Sequence, residues 1–186
     1  MKKVAAFILC VIMLCACADH NEAMNLAMAF RQKLISSDIC SFVCEIHADY
    51  GDVIHSFSMQ CDFDSQGTMK FQVTEPQTIV NISGIITSEG GELTFDGNAL
   101  TFPLMADGYL SPVSAPWVFM KALRSGFLDS CGKETDGYLL LLNDSYEESS
   151  LQLEVLTDPD LNPQNVQILW QGRRILSIDV KDFSCM

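Results

Sequence analysis

From Cys40 onward, apolar residues recur at every second position, and that period of two commits most of the chain to a sheet with one greasy face and one wet face. Cys40, Phe42, Cys44, Ile46 and Ala48 alternate with Ser41, Val43, Glu45, His47 and Asp49. Tyr50-Gly51-Asp52 reads as a turn, after which Val53, His55, Phe57, Met59, Cys61 and Phe63 take the same inner face. Ser65-Gln66-Gly67 turns again, and Met69, Phe71 and Val73 continue the pattern, which is that of an antiparallel meander. Glu75-Pro76 ends this strand. Thr78–Thr87 is expected as a fourth, with Val80, Ile82, Gly84 and Ile86 inward. Gly90-Gly91 and Asp96-Gly97-Asn98 bracket short strands at Glu92–Phe95 and Ala99–Phe102. After Gly132 strands resume at Gly137–Leu142, Ser149–Leu156, Val166–Gln171 and Arg174–Asp182.

The period is 3.6 rather than 2 in two places. In Glu22–Ser37 the apolar residues Met24, Leu26, Ala27, Phe30, Leu34 and Ile35 recur at helical spacing, with Asn21 placed to cap the first turn. A second helix is expected from about Trp117 to Ser125. There Ser114 supplies a cap oxygen, Pro116 fits the first turn and Gly126 stops the run. Trp117, Met120, Leu123 and Phe127 are expected to share one face. The fold class is therefore α+β: one strongly curved antiparallel sheet of about ten strands, an N-terminal helix, and a helix inserted mid-way. A sheet this wide with one apolar face must curl and cover that face.

The start of the chain is built differently. Lys2 and Lys3 precede an unbroken apolar run from Val4 to Leu14, the layout of a secretory signal too short to span a bilayer. Leu14-Cys15-Ala16-Cys17 resembles a bacterial lipobox. By that resemblance residues 1–16 are a lipoprotein signal peptide, and Cys17 becomes the diacylated, palmitate-bearing N-terminus. Residues 17–24 would then be a lipidated polar tether and residues 25–186 the folded domain. The blander alternative is an ordinary signal peptide cut nearby. Each buried methylene of an acyl chain contributes about 0.8 kcal/mol, so two chains anchor where one would exchange. The expected location is the extracytoplasmic face of the cell membrane, lipid-anchored.

Without the signal and its two lysines, nine Lys+Arg face 24 Asp+Glu. Such a surface repels phosphate backbones, which argues against nucleic acid as a partner. The cysteines beyond Cys17 are Cys40, Cys44, Cys61, Cys131 and Cys185. Five is odd, so at least one stays free or pairs between chains. Cys40 and Cys61 both face inward on adjacent strands and are expected opposite one another, either as a cross-strand disulfide or as two buried thiols. No pair has CxxC spacing and histidine is scarce, so no metal is expected, and no cofactor.

With these elements placed, the chain resembles the LolA/LolB-like lipoprotein-carrier superfamily. The local matches are Phe71-Gln-Val-Thr-Glu-Pro76, Phe95-Asp-Gly-Asn-Ala-Leu100, Pro163-Gln-Asn-Val-Gln-Ile168 and Ile178-Asp-Val-Lys-Asp-Phe183. The resemblance implies a half-open β-barrel whose concave, apolar face is lidded by helices. Phe57, Met59, Phe71, Val73, Ile82, Trp117 and Met120 could line an apolar cavity there, or simply fill a core. His55 is expected on the apolar face, and His47 outward without a nucleophile at a recognisable spacing. No catalytic signature is present. The expected function is non-enzymatic: binding of a lipid or acyl chain by a membrane-anchored lipoprotein. The alternative is an envelope sensor or assembly domain that binds a protein or peptide.

Overall fold

The computed structural model describes residues 22–49, 54–106, 109–147 and 150–186. The signal segment, Cys17, His20, Asn21, the Tyr50-Gly51-Asp52 turn and Asp107-Gly108 lie outside them. Helix α1 spans residues 22–36, close to the expected Glu22–Ser37, and takes in residues 22–24 at the end of the expected tether. The alternating segments become β1 (Ile39–Asp49), β2 (Ile54–Asp64) and β3 (Met69–Glu75). β4 (Ser83–Thr87), β5 (Gly90–Phe95) and β6 (Asn98–Phe102) follow, then a small hairpin of β7 (Met105–Ala106) and β8 (Tyr109–Leu110). Helix α2 covers Ala115–Ser125. The chain closes with β9 (Phe127–Glu134), β10 (Gly137–Asn143), β11 (Leu151–Thr157), β12 (Pro163–Trp170) and β13 (Arg173–Cys185).

Eleven strands form one antiparallel sheet in the order β6-β5-β4-β3-β2-β1-β13-β12-β11-β10-β9, with β7–β8 apart. The sheet is curved and unclosed, and its first and last long strands meet at the centre. Register shifts interrupt the β1–β13, β2–β3, β9–β10, β11–β12 and β12–β13 pairs. Each extra residue bends its strand and raises the local twist, which curls a sheet this wide.

The start of β4 and the whole of β9 depart furthest from expectation. Residues expected at the start of the fourth strand instead form a 3-10 turn, Gln77–Ile79, after Pro76. The Ile79 and Ile82 amides donate to the Pro76 and Ile79 carbonyls, so the ladder begins only at Ser83. β9 has no counterpart among the expected strands. It is an edge strand in which only Cys131 is buried, so it carries almost no alternation. Phe127 opens this strand and is exposed rather than sharing the face of α2.

The core lies on the concave face. α2 is buried on nearly every side from Ala115 to Leu123, Lys121 excepted, and packs against β2, β10 and β13. A helix apolar all round is one that the fold encloses. Phe42 of β1 meets Phe119 of α2 edge-on at 6.0 Å and Phe183 of β13 at 5.9 Å, and Phe30 of α1 stacks beyond Phe183 at 6.4 Å. Gly84 serves this packing on β4: a Cβ there would collide with the Glu92 carbonyl and the Phe71 ring. The glycine therefore lets the ring lie on the backbone.

Candidate functional site

The residues expected to line a cavity are brought together, but as a packed layer. Met59 and Met120 are 0% exposed, and Phe71, Val73 and Trp117 are buried with them. Phe57 and Ile82 are half-buried and pack against the same core. The strand period for five of them and the helical period for Trp117 and Met120 set which side they face; whether a gap separates them was decided by their summed volume. Phe57 lies at the margin, beside a shallow depression of about 340 Å³ shared with Glu45, Ser56 and Pro76.

α2 is held by three polar staples that the sequence did not announce, two to the sheet and one to α1. The Trp117 Nε1–H donates to the Gly67 carbonyl at 2.8 Å, in the β2–β3 turn. Arg124 Nη1 donates to the Asp64 carbonyl at 2.7 Å in the same turn, and its guanidinium lies over the Phe63 ring. Arg31 of α1 donates from Nε to the Leu123 carbonyl at 2.8 Å and from Nη2 to Ala122 at 3.4 Å. A cation on the last carbonyls of a helix satisfies orphan acceptors and meets the negative end of its dipole. Burial lowers the Arg31 pKa from its ordinary value. At the other end of α2 the expected cap fails: Ser114 makes no side-chain cap bond, and its hydroxyl is buried without a partner.

The cysteines are arranged differently from the expected opposition of Cys40 and Cys61. Cys40 is bonded to Cys185, directly opposite on β13, with Cα atoms 4.1 Å apart. The β1–β2 register places Phe63 opposite Cys40 and Phe42 opposite Cys61. The connection spans residues 50–53 instead of being centred on Tyr50-Gly51, which moves every pair by two positions. Cys61 instead touches the Cys44 thiol at 3.9 Å. Burial first, and then the hydrogen bond with Cys44, push the Cys61 pKa well up. Cys44, Cys61 and Cys131 are free, buried thiols. No His/Cys/Asp/Glu group among the described residues could hold a metal.

On the outer face His47 bridges three strands. Its Nδ1 is 2.8 Å from Ser56 Oγ, its Nε2 is 3.1 Å from Asp179 Oδ2, and Asn165 donates to Asp179 Oδ1 at 2.7 Å. These residues lie on four strands, so no local spacing could have shown them. The array clasps the sheet. His55, expected inward, is exposed near the start of β2.

Open space lies at the end of the half-barrel. A cleft of about 500 Å³ is bounded by Asp49 at the end of β1, Leu110 of β8, the β12–β13 hairpin residues Trp170, Gln171, Arg173 and Arg174, and then Ile175 and Leu176. It opens between the sheet and the short hairpin that leads into the lid. A second groove, of about 440 Å³, runs along the outside of α2 between Ile35, Phe63, Trp117, Lys121 and Arg124. Trp117 thus borders a surface groove from a position within the core. No helix among the described residues is long and apolar enough to cross a membrane.

No protein-family model matches the chain, and no curated protein matches it. Solved structures similar to it include an uncharacterized conserved protein from Thermus thermophilus, at 12% identity and a TM-score of 0.48 over 89% of this chain and 88% of that one. A LolA superfamily protein from Nitrosomonas europaea is 10% identical, with a TM-score of 0.44 over 86% and 93% of the two chains. LprF from Mycobacterium bovis is 10% identical, with a TM-score of 0.39 over 88% and 93%. Each of these TM-scores is below 0.5, and the likenesses assign the chain neither a family nor a role.

Proposed function

We propose that this chain is a non-enzymatic envelope lipoprotein, anchored through Cys17, whose half-barrel binds a lipid or acyl chain at its open end and not beneath the centre of its lid. The observation that carries this reading is the cleft of about 500 Å³ floored by Leu110, Trp170, Ile175 and Leu176. Its volume falls within the ~300–1,000 Å³ of small-molecule sites. Covering about 300 Å² of acyl surface would contribute roughly 7 kcal/mol before the costs of binding. The packed layer around Met120 supports the placement, because inserting a chain there would first require the core to open.

Native mass spectrometry of the chain purified from membranes tests the reading. A co-purifying lipid that is depleted by Trp170→Ala supports it. Trp117→Ala serves as the contrast: it should lower stability and leave lipid occupancy of the folded fraction unchanged. Protein that emerges empty and takes up no added acyl probe overturns the reading.

A second reading, a protein or peptide partner, is favoured by one observation. β6 is an edge strand whose Leu100 is 62% exposed, with Ile85 and Phe95 also exposed on neighbouring strands. Such an edge can accept an added strand.

A further inference from the structure

The four arginines of this chain divide into two pairs. Arg31 and Arg124 are spent on main-chain carbonyls at the C-terminal end of α2 and in the β2–β3 turn. Arg173 and Arg174 are consecutive at the start of β13, exposed, and both line the open-end cleft. Among the described residues neither of these two guanidiniums makes an ion pair or hydrogen bond. Among those residues the cleft is lined by two guanidiniums and one carboxylate, that of Asp49. The chain as a whole carries −13. On a chain of that net charge, two adjacent exposed arginines are the exception that favours an anion.

The apolar part of the same cleft lies directly beside them. Trp170 pairs with Arg173 across the hairpin, and Leu176 follows two residues after Arg174. A guanidinium is planar, permanently charged and matched in its fork to the two oxygens of a carboxylate or phosphate. Two of them at the mouth of an apolar cleft form a site with a charged rim and a greasy floor. We propose that the ligand is an anionic amphiphile, its acyl chain on Leu110, Trp170 and Leu176 and its carboxylate or phosphate on Arg173 and Arg174. This rests on the apolar-ligand reading above and adds the headgroup chemistry to it. A free fatty acid and a lysophosphatidate share that chemistry.

The test uses the full chain in phosphatidylcholine vesicles with three photoactivatable probes of one acyl length: a fatty acid, its methyl ester, and a lysophosphatidate. Cross-links are mapped to the segment 170–176. The expected result is about tenfold higher labelling by at least one anionic probe than by the ester, a preference lost in R173Q/R174Q. Which anion wins identifies the source. Both side chains are exposed, so the double variant should keep the wild-type melting temperature, and its ester labelling should be unchanged. Equal labelling by acid and ester in the wild type, or a preference that survives R173Q/R174Q, overturns the headgroup assignment and leaves the apolar cleft standing. No labelling by any probe overturns both.

Discussion

The two ends of the half-barrel are built from the same strands and finished in opposite ways. Where β1 starts, the Cys40–Cys185 bond joins it to the end of β13, and the Met186 main chain pairs with Asp38 and Ile39. Phe30, Phe42, Phe119 and Phe183 pack behind that bond, and Arg31 and Arg124 are consumed by carbonyls. Where β1 finishes, there is among the described residues neither a disulfide nor a partner for Arg173 and Arg174, and Trp170 and Ile175 are half-buried. The contrast shows how one fold separates its tasks. One end is over-determined by covalent, aromatic and polar contacts, so the other can remain incompletely filled without unfolding the sheet.

Breaking the closed end should produce the largest effects. Phe42→Ala should cost about 3–5 kcal/mol in a urea melt, because it leaves a void between the Phe119 and Phe183 rings. Cys185→Ser should cost about 4 kcal/mol, since the bond closes a loop of 145 residues. The larger truncation at the open end, Trp170→Ala, should still cost clearly less than Phe42→Ala. Equal losses would mean that both ends are core and that the contrast is false.

The buried thiols sharpen the comparison through pH. Cys61 is held neutral in the fold, whereas an unfolded thiol ionises near pH ~8.5. Its raised pKa therefore supplies stability that is complete below that value and fades as pH rises through the alkaline range, by up to about 1.4 kcal/mol per unit. Cys61→Ala should flatten the fall in unfolding free energy between pH 9 and 10, measured by chemical denaturation. An unchanged slope would show that other groups govern alkaline unfolding.

Smaller effects test the staples of the lid. Trp117→Phe keeps an aromatic ring but loses the bond to Gly67 and part of the buried indole, and should cost about 1–2 kcal/mol. Ser114→Ala should be neutral or stabilising by up to about 1 kcal/mol, because it removes a buried hydroxyl without a partner. A true capping serine would instead lose about that amount. The sign alone, read from the melting temperature, separates the two.

Much of the sheet was legible because alternation is local. β1, β2, β3 and the later hairpins followed their apolar parity to within a few residues, and the helical spacing of Met24 to Ile35 located α1. β9 was illegible because an edge strand buries too little to need a pattern. The candidate site was legible only in part. Parity showed which side chains face inward, yet it carries no information on whether they touch. The open-end cleft went unread because its walls, Asp49, Leu110 and the 170–176 hairpin, come from three separate parts of the chain.

By itself the amino-acid order determined the curved two-faced sheet, the two helices and the acidity of the surface, since each follows from the period or charge of neighbouring residues. Only the tertiary structure decided that Cys40 meets Cys185, that the space under the lid is filled, and that Arg173 and Arg174 share a cleft with Trp170. Those outcomes depend on register and volume summed across strands far apart in the chain, and no short window of residues contains either quantity.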